Sequence, residues 1–166
     1  MSSYLILLIS LILFSYLLGS IPTSYLVSRL KGIDLLTVGS GNLGATNVYR
    51  ALGFKLALFV FFCDLLKGFI PAYLAVSFEF SPLLHILVGV FSVLGHSCSI
   101  FMRFKGGKGV ATALGVILSI NYNVFVILFL MGILLIKLTS TVSLVSILGA
   151  ILFPILLIIF QLSLVY

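Results

Sequence analysis

Long runs of Leu, Ile, Phe and Val constrain this chain more than any other feature. They lack the alternating polar face of a barrel strand, and several could cross hydrocarbon about 30 Å thick at roughly 1.5 Å per helical residue. Composition agrees: 63% of residues are hydrophobic and only 7% charged, with a mean hydropathy of +1.42, far from soluble globular proteins. The expectation is an all-α, polytopic transmembrane helical bundle, a single integral membrane domain over residues 1–166.

At about twenty residues per crossing, six spans fall near 4–27, 55–76, 83–102, 109–121, 123–138 and 140–165. The first run, from Tyr4 to about Ile21, has no basic residue ahead of it and no small-residue cleavage pattern behind it, so it reads as a span and not as a signal peptide. The fourth is short, and is expected to be tilted or partly re-entrant, beginning at a group of glycines. Pro22, Pro71 and Pro154 mark expected kinks or ends of helices.

Charge placement orients these spans. Arg29, Lys31, Arg50 and Lys55 fall between the first and second, and Arg103, Lys105 and Lys108 follow the third. By the positive-inside rule both loops face the cytoplasm and the N-terminus lies outside. A formal net charge of +6 could suggest nucleic acid, but the cations are dispersed, with no basic arm or aromatic platform, so no nucleic acid partner is expected. Cys63 and Cys98 form no paired C-x-x-C arrangement and read as packing residues.

The polar residues concentrate in the two inward loops. Loop one carries Gly39-Ser40-Gly41-Asn42-Leu43-Gly44-Ala45-Thr46-Asn47 and then Arg50. Glycines let backbone N–H groups converge, and short Ser, Asn and Thr side chains add donors without crowding a ligand. An oxyanion is the natural occupant. Thr46-Asn47 would cap a helix whose positive end faces that anion, and Arg50 would close on it bidentately. The same residue types also make ordinary inter-helix turns.

Loop two, Phe104-Lys105-Gly106-Gly107-Lys108-Gly109, sets two ammonium groups around a flexible backbone. It fails the P-loop pattern, since Gly109 follows Lys108 and the upstream glycine is missing, so nucleotide hydrolysis is not indicated. Lysines alone would suit a headgroup anchor, but an anchor does not need three glycines. His96, just upstream, is placed to donate to a phosphate or carbonyl oxygen or to act as acid or base; His85 reads as structural. Asp64 and Lys67, three apart on the second span, would face each other and turn inward as support for the polar site.

Other chemistries lack their parts. There is no G-x-S-x-G elbow and no H-E-x-x-H site. With three carboxylates in the chain, neither a two-acid mechanism nor a carboxylate-built metal centre is readily assembled; no metal and no cofactor are expected. Catalysis here would rest on positioning and on stabilising negative charge.

Together GSGNLGATNVYRALG, GSIPTSYL, DLLKG and GHSCSIFMRFKGGKGVAT resemble the bacterial membrane acyl-phosphate:glycerol-3-phosphate acyltransferases of the PlsY type, from about Gly19 through Pro154. The resemblance implies transfer of a fatty acyl group from acyl phosphate to the 1-hydroxyl of glycerol 3-phosphate, giving lysophosphatidic acid and phosphate, in the bacterial cytoplasmic (inner) membrane among its lipids. It implies that neither acyl-CoA nor acyl carrier protein is used directly, and that a substrate phosphate oxygen takes the hydroxyl proton. Carried over by motif, Ser40, Gly41, Asn42, Gly44, Asn47 and Arg50 fall in the first signature, and His96, Lys105, Gly106, Gly107, Lys108 and Gly109 in the second. Ser40, Arg50, His96 and Lys108 would be catalytic; the glycines with Asn42, Thr46, Asn47 and Lys105 would bind phosphate. The family pattern has aromatic and proline residues where this chain has Cys98 and Ser99, and a seventh span with an Asn- and Glu-containing signature that has no counterpart up to Tyr166. A non-catalytic binder or transporter of phosphorylated lipid precursors is the competing expectation.

Overall fold

A computed structural model describes residues 2–139 and 141–162. Eight α-helices form among them: α1 (Ser2–Ser20), α2 (Thr23–Leu30), α3 (Ala45–Leu52), α4 (Phe54–Ser77), α5 (Pro82–Ser97), α6 (Val110–Ile120), α7 (Tyr122–Thr139) and α8 (Val142–Leu162). The molecule is a transmembrane helical bundle, with four helical stretches among the described residues long and apolar enough to cross a membrane: Ser3–Leu30, Phe54–Ser77, Tyr122–Thr139 and Val142–Phe160. The six apolar runs of the sequence each became a helix, though their expected bounds shift. The sixth, expected over 140–165, lies outside the described residues at position 140 and beyond Leu162.

Two of the six are short. The 16 residues of α5 extend about 24 Å and the 11 of α6 only about 16 Å at 1.5 Å per residue, well under the hydrocarbon thickness. The expected third span, 83–102, ends early: α5 stops at Ser97 and the chain turns through a 3-10 turn at Ile100–Met102. The expected first span, 4–27, is also interrupted. The chain breaks between α1 and α2 at Ile21-Pro22, where proline removes a donor. Pro71 and Pro154, in contrast, sit inside continuous helices.

Small residues and hydroxyls set the packing. At the α4–α6 crossing, any side chain on Gly68 would run into the Thr112 carbonyl, and any on Gly115 into that of Leu65. Gly19 and Gly95 do the same for α1 against α5, meeting the carbonyls of Ser92 and Tyr16. Close backbone approach through small residues is how helices associate where lipid removes the hydrophobic drive. Serines then bond across the seams: Ser15 Oγ donates to the Val88 carbonyl at 2.6 Å and Ser92 Oγ to the Lys67 carbonyl at 2.6 Å. The result brings α1, α4, α5 and α6 together at the end that carries both polar loops.

Candidate active site

Loop one is shaped from within by Asn47. Its amide nitrogen donates to the carbonyls of Leu35 (3.1 Å) and Val38 (3.0 Å), and its oxygen accepts the Ser40 N–H at 3.0 Å. Asn47 is fully buried, and its three bonds hold the Gly39 turn, where φ is +58° and a side chain would overlap the Asn47 oxygen. The expected cap is therefore corrected: α3 begins at Ala45 with Gly44 in the capping position and no side-chain cap. Asn47 lies within the first turn, its amide already committed to the loop and thus not free for phosphate. Leu35, Leu43 and Val48 anchor this segment against Ala57 and Val60 of α4.

The groups left over are those suited to a ligand. Ser40, Thr46 and Arg50 are exposed, and no hydrogen bond or ion pair engages their side chains, or that of Asn42, among the described residues. Arg50 lies beside the loop, its Cδ 3.9 Å from where a side chain on Gly39 would start.

Loop two folds back on His96. The Gly107 N–H donates to the His96 carbonyl at 3.1 Å, and a side chain on Gly106 would collide with that carbonyl and come within 2.5 Å of the Ser97 carbonyl. Ahead of it, Phe104 N–H donates to Ser99 O at 2.8 Å, and Arg103 and Phe104 both take left-handed conformations, φ +54° and +61°. Bulky residues rarely adopt this region without a surrounding structure that imposes it, and such positions gather at functional sites.

The two loops meet at the histidine. A side chain on Gly107 would overlap His96 Nε2 and lie 2.5 Å from the Leu43 carbonyl oxygen. A small polar cleft opens there, lined by Leu43 from loop one, Lys105 and Gly106 from loop two, and His96, Asp64 and Lys67 from the helices beneath. Lys67 Nζ pairs with Asp64 Oδ1 at 2.7 Å, both side chains almost wholly buried, and it also donates to the Ile21 carbonyl. The ammonium thus joins the Thr23 N–H in capping the Ile21 carbonyl at the break between α1 and α2, and the inward-facing pair expected from the i, i+3 spacing is present. Ser20 and Ser99 line the same cleft; both fall within the motifs GSIPTSYL and GHSCSIFMRFKGGKGVAT, but sequence alone assigns neither a role in the site. Ser20 Oγ is buried without a hydrogen-bond partner among the described residues.

Lys108 points elsewhere. Its Nζ donates to Ser143 Oγ on α8 at 2.5 Å, and it borders a second, apolar cavity of about 500 Å³ between α5, α6, α7 and α8. Gly109, Val93, Ala113, Phe129 and Phe153 are among its lining residues. Gly109, at φ +71°, takes the capping position of α6. So the second loop has polar groups on one side and an apolar chamber on the other. No cluster of three potential metal ligands exists among the described residues.

Comparison with known proteins decides the lineage. A family model described as Glycerol-3-phosphate acyltransferase matches residues 9–166. The chain belongs to this family. The glycerol-3-phosphate acyltransferase of Aquifex aeolicus is 54% identical over 121 residues, covering 72% of this chain and 63% of the relative. That of Prochlorococcus marinus (strain MIT 9215) is 48% identical over 150 residues, 89% and 75% of the two. The chain spans less than two thirds of the length of the Aquifex aeolicus and Geotalea daltonii relatives, 63% and 58%.

Among solved structures, the glycerol 3-phosphate form of PlsY (YgiH), an integral membrane glycerol 3-phosphate acyltransferase, superposes with a TM-score of 0.86 at 48% identity, covering 92% of this chain and 76% of the other. The lysophosphatidic acid form gives 0.84 at 46%, with the same coverage. The resemblance read from the motifs is borne out at the level of family and of fold.

Proposed function

We propose that the chain transfers a fatty acyl group from acyl phosphate to the 1-hydroxyl of glycerol 3-phosphate, yielding lysophosphatidic acid and phosphate. The single observation carrying this reading is the position of loop two, between a polar cleft shared with loop one and an apolar cavity of about 500 Å³. Such a volume is typical of pockets that enclose a small apolar ligand. An acyl phosphate has the matching form: its headgroup meets the loop and Lys108 while its chain lies among the helices. Glycerol 3-phosphate occupies the other side, its phosphate on Ser40, Asn42, Thr46, Arg50 and Lys105; the expected contacts at Gly41 and Gly44 are corrected, since their N–H groups already donate to the Val38 and Asn42 carbonyls.

The chemistry follows from placement. The glycerol hydroxyl attacks the acyl carbon as the carbon–oxygen bond to phosphate breaks, and phosphate departs as an anhydride-like leaving group. A substrate phosphate oxygen receives the hydroxyl proton. Cations and backbone N–H groups stabilise the charge that develops, and holding both reactants in one site removes the entropy of their encounter. The setting is the bacterial cytoplasmic membrane, with both loops on the cytoplasmic side and the N-terminus outside, as the charge placement indicates.

Phosphate release from acyl phosphate and glycerol 3-phosphate, measured with the chain in lipid vesicles, tests the reading. The chain turns over with acyl phosphate and not with acyl-CoA, and Arg50→Ala and Lys108→Ala abolish release. Normal turnover by both variants would remove their proposed roles, and saturable binding of glycerol 3-phosphate without acyl transfer would make the protein a non-catalytic binder.

A further inference from the structure

The buried ion pair beneath the cleft does more than its capping role requires. Lys67, with the Thr23 N–H, satisfies the Ile21 carbonyl without Asp64; Asp64 also faces the neighbouring helix, where its Oδ1 lies 3.8 Å from His96 Nδ1. That separation is beyond hydrogen-bond length, yet it puts a buried carboxylate against one particular ring nitrogen. The other, Nε2, makes no hydrogen bond among the described residues and sits at the junction of Gly107 and the Leu43 carbonyl. Lys67 and Lys105 are the other charged groups lining this cleft.

A carboxylate on the Nδ1 side favours the tautomer with hydrogen on Nδ1, because the N–H dipole points its positive end at the negative charge, and the choice at one ring nitrogen fixes the other. Nε2 is then left with a lone pair. We infer that Asp64 is a positioning residue acting through His96, holding the imidazole so that its Nε2 accepts a hydrogen bond from the hydroxyl of the acceptor alcohol at the meeting point of the two loops. This rests on the acyltransfer reading for the identity of the alcohol. The hydrogen bond turns the oxygen's lone pairs toward the acyl carbon; no proton leaves the hydroxyl in this contact.

The experiment uses the chain in lipid nanodiscs with His85→Asn, so that His96 is the one histidine remaining of two, and reads the ¹⁵N resonances of its ring beside the kinetics of acyl transfer. The inference expects hydrogen on Nδ1 and a bare Nε2, and a redistribution toward the Nε2-protonated form in Asp64→Asn. It further expects kcat to fall at least 10-fold in Asp64→Asn with KM for glycerol 3-phosphate changed less than threefold. In a His96→Gln background the same substitution should cost under twofold, because the residue through which it acts is gone. An unchanged tautomer in Asp64→Asn, or an equal kinetic cost in both backgrounds, overturns it. Should Asp64→Asn fail to fold, hydrogen found on Nε2 of the parent chain overturns it equally. A parent chain that shows the expected tautomer but transfers no acyl group would refute the functional reading while leaving the Asp64–His96 relation standing.

Discussion

Replacing Gly107 with alanine adds one methyl group where the loops touch. Its carbon would start 2.5 Å from the Leu43 carbonyl oxygen and would overlap His96 Nε2. Carbon and oxygen settle no closer than about 3.3 Å, so loop one must retreat from loop two by roughly 0.8 Å, and the imidazole must turn as well. A misplacement near 1 Å costs reactions that depend on orientation on the order of 100-fold, or about 2.7 kcal/mol of barrier at 1.36 kcal/mol per tenfold. Phosphate release in vesicles should fall by about that factor, while helix content and thermal midpoint stay near those of the parent, because the added methyl sits in a loop and not at a helix crossing. Gly32→Ala is the control. Gly32 has φ +73° with nothing within 4 Å of a new side chain, so it carries about 1–2 kcal/mol of backbone strain and should leave the rate unchanged. Full activity in Gly107→Ala would refute the idea that the junction of the loops is the reacting site.

Other substitutions probe other contacts. Lys67→Met strands the buried Asp64 carboxylate and should destabilise the bundle by about 3–5 kcal/mol; Lys67→Met combined with Asp64→Leu should recover part of the loss in a thermal-melt series. Gly115→Ala forces α4 and α6 apart at the Leu65 carbonyl and should cost roughly 1–3 kcal/mol, read as a lower unfolding midpoint in detergent. Asn47→Ala removes three hydrogen bonds, one buried and two partly buried, at about 1 kcal/mol each, so protease cleavage within residues 35–44 should accelerate.

What the sequence disclosed and what it hid follow from the range of the forces involved. The apolar runs specify helices locally, and each formed. The helix breaks at Pro22, where Lys67 and the Thr23 N–H receive the Ile21 carbonyl, whereas Pro71 and Pro154 lie within unbroken helices; a proline by itself does not decide where a helix breaks. The Asp64–Lys67 pair was legible because i, i+3 spacing is a property of one helix. Asn47 was misjudged for the opposite reason: its partners lie seven to twelve residues upstream, and no local pattern marks an amide that organises a loop. Likewise Lys108 turns to Ser143, 35 residues away, and only the packed bundle reveals that the second loop has a polar and an apolar side.

Titration of the chain with glycerol 3-phosphate tests the shared site most directly, comparing the parent with Arg50→Ala, Lys105→Ala and the double variant. If one phosphate is gripped from both loops, binding saturates at one per chain, each single change weakens it, and the double change departs from the sum of the two by about 0.5 kcal/mol or more. Strictly additive losses, or binding that survives removal of either cation, would mean that the loops hold separate anions or none.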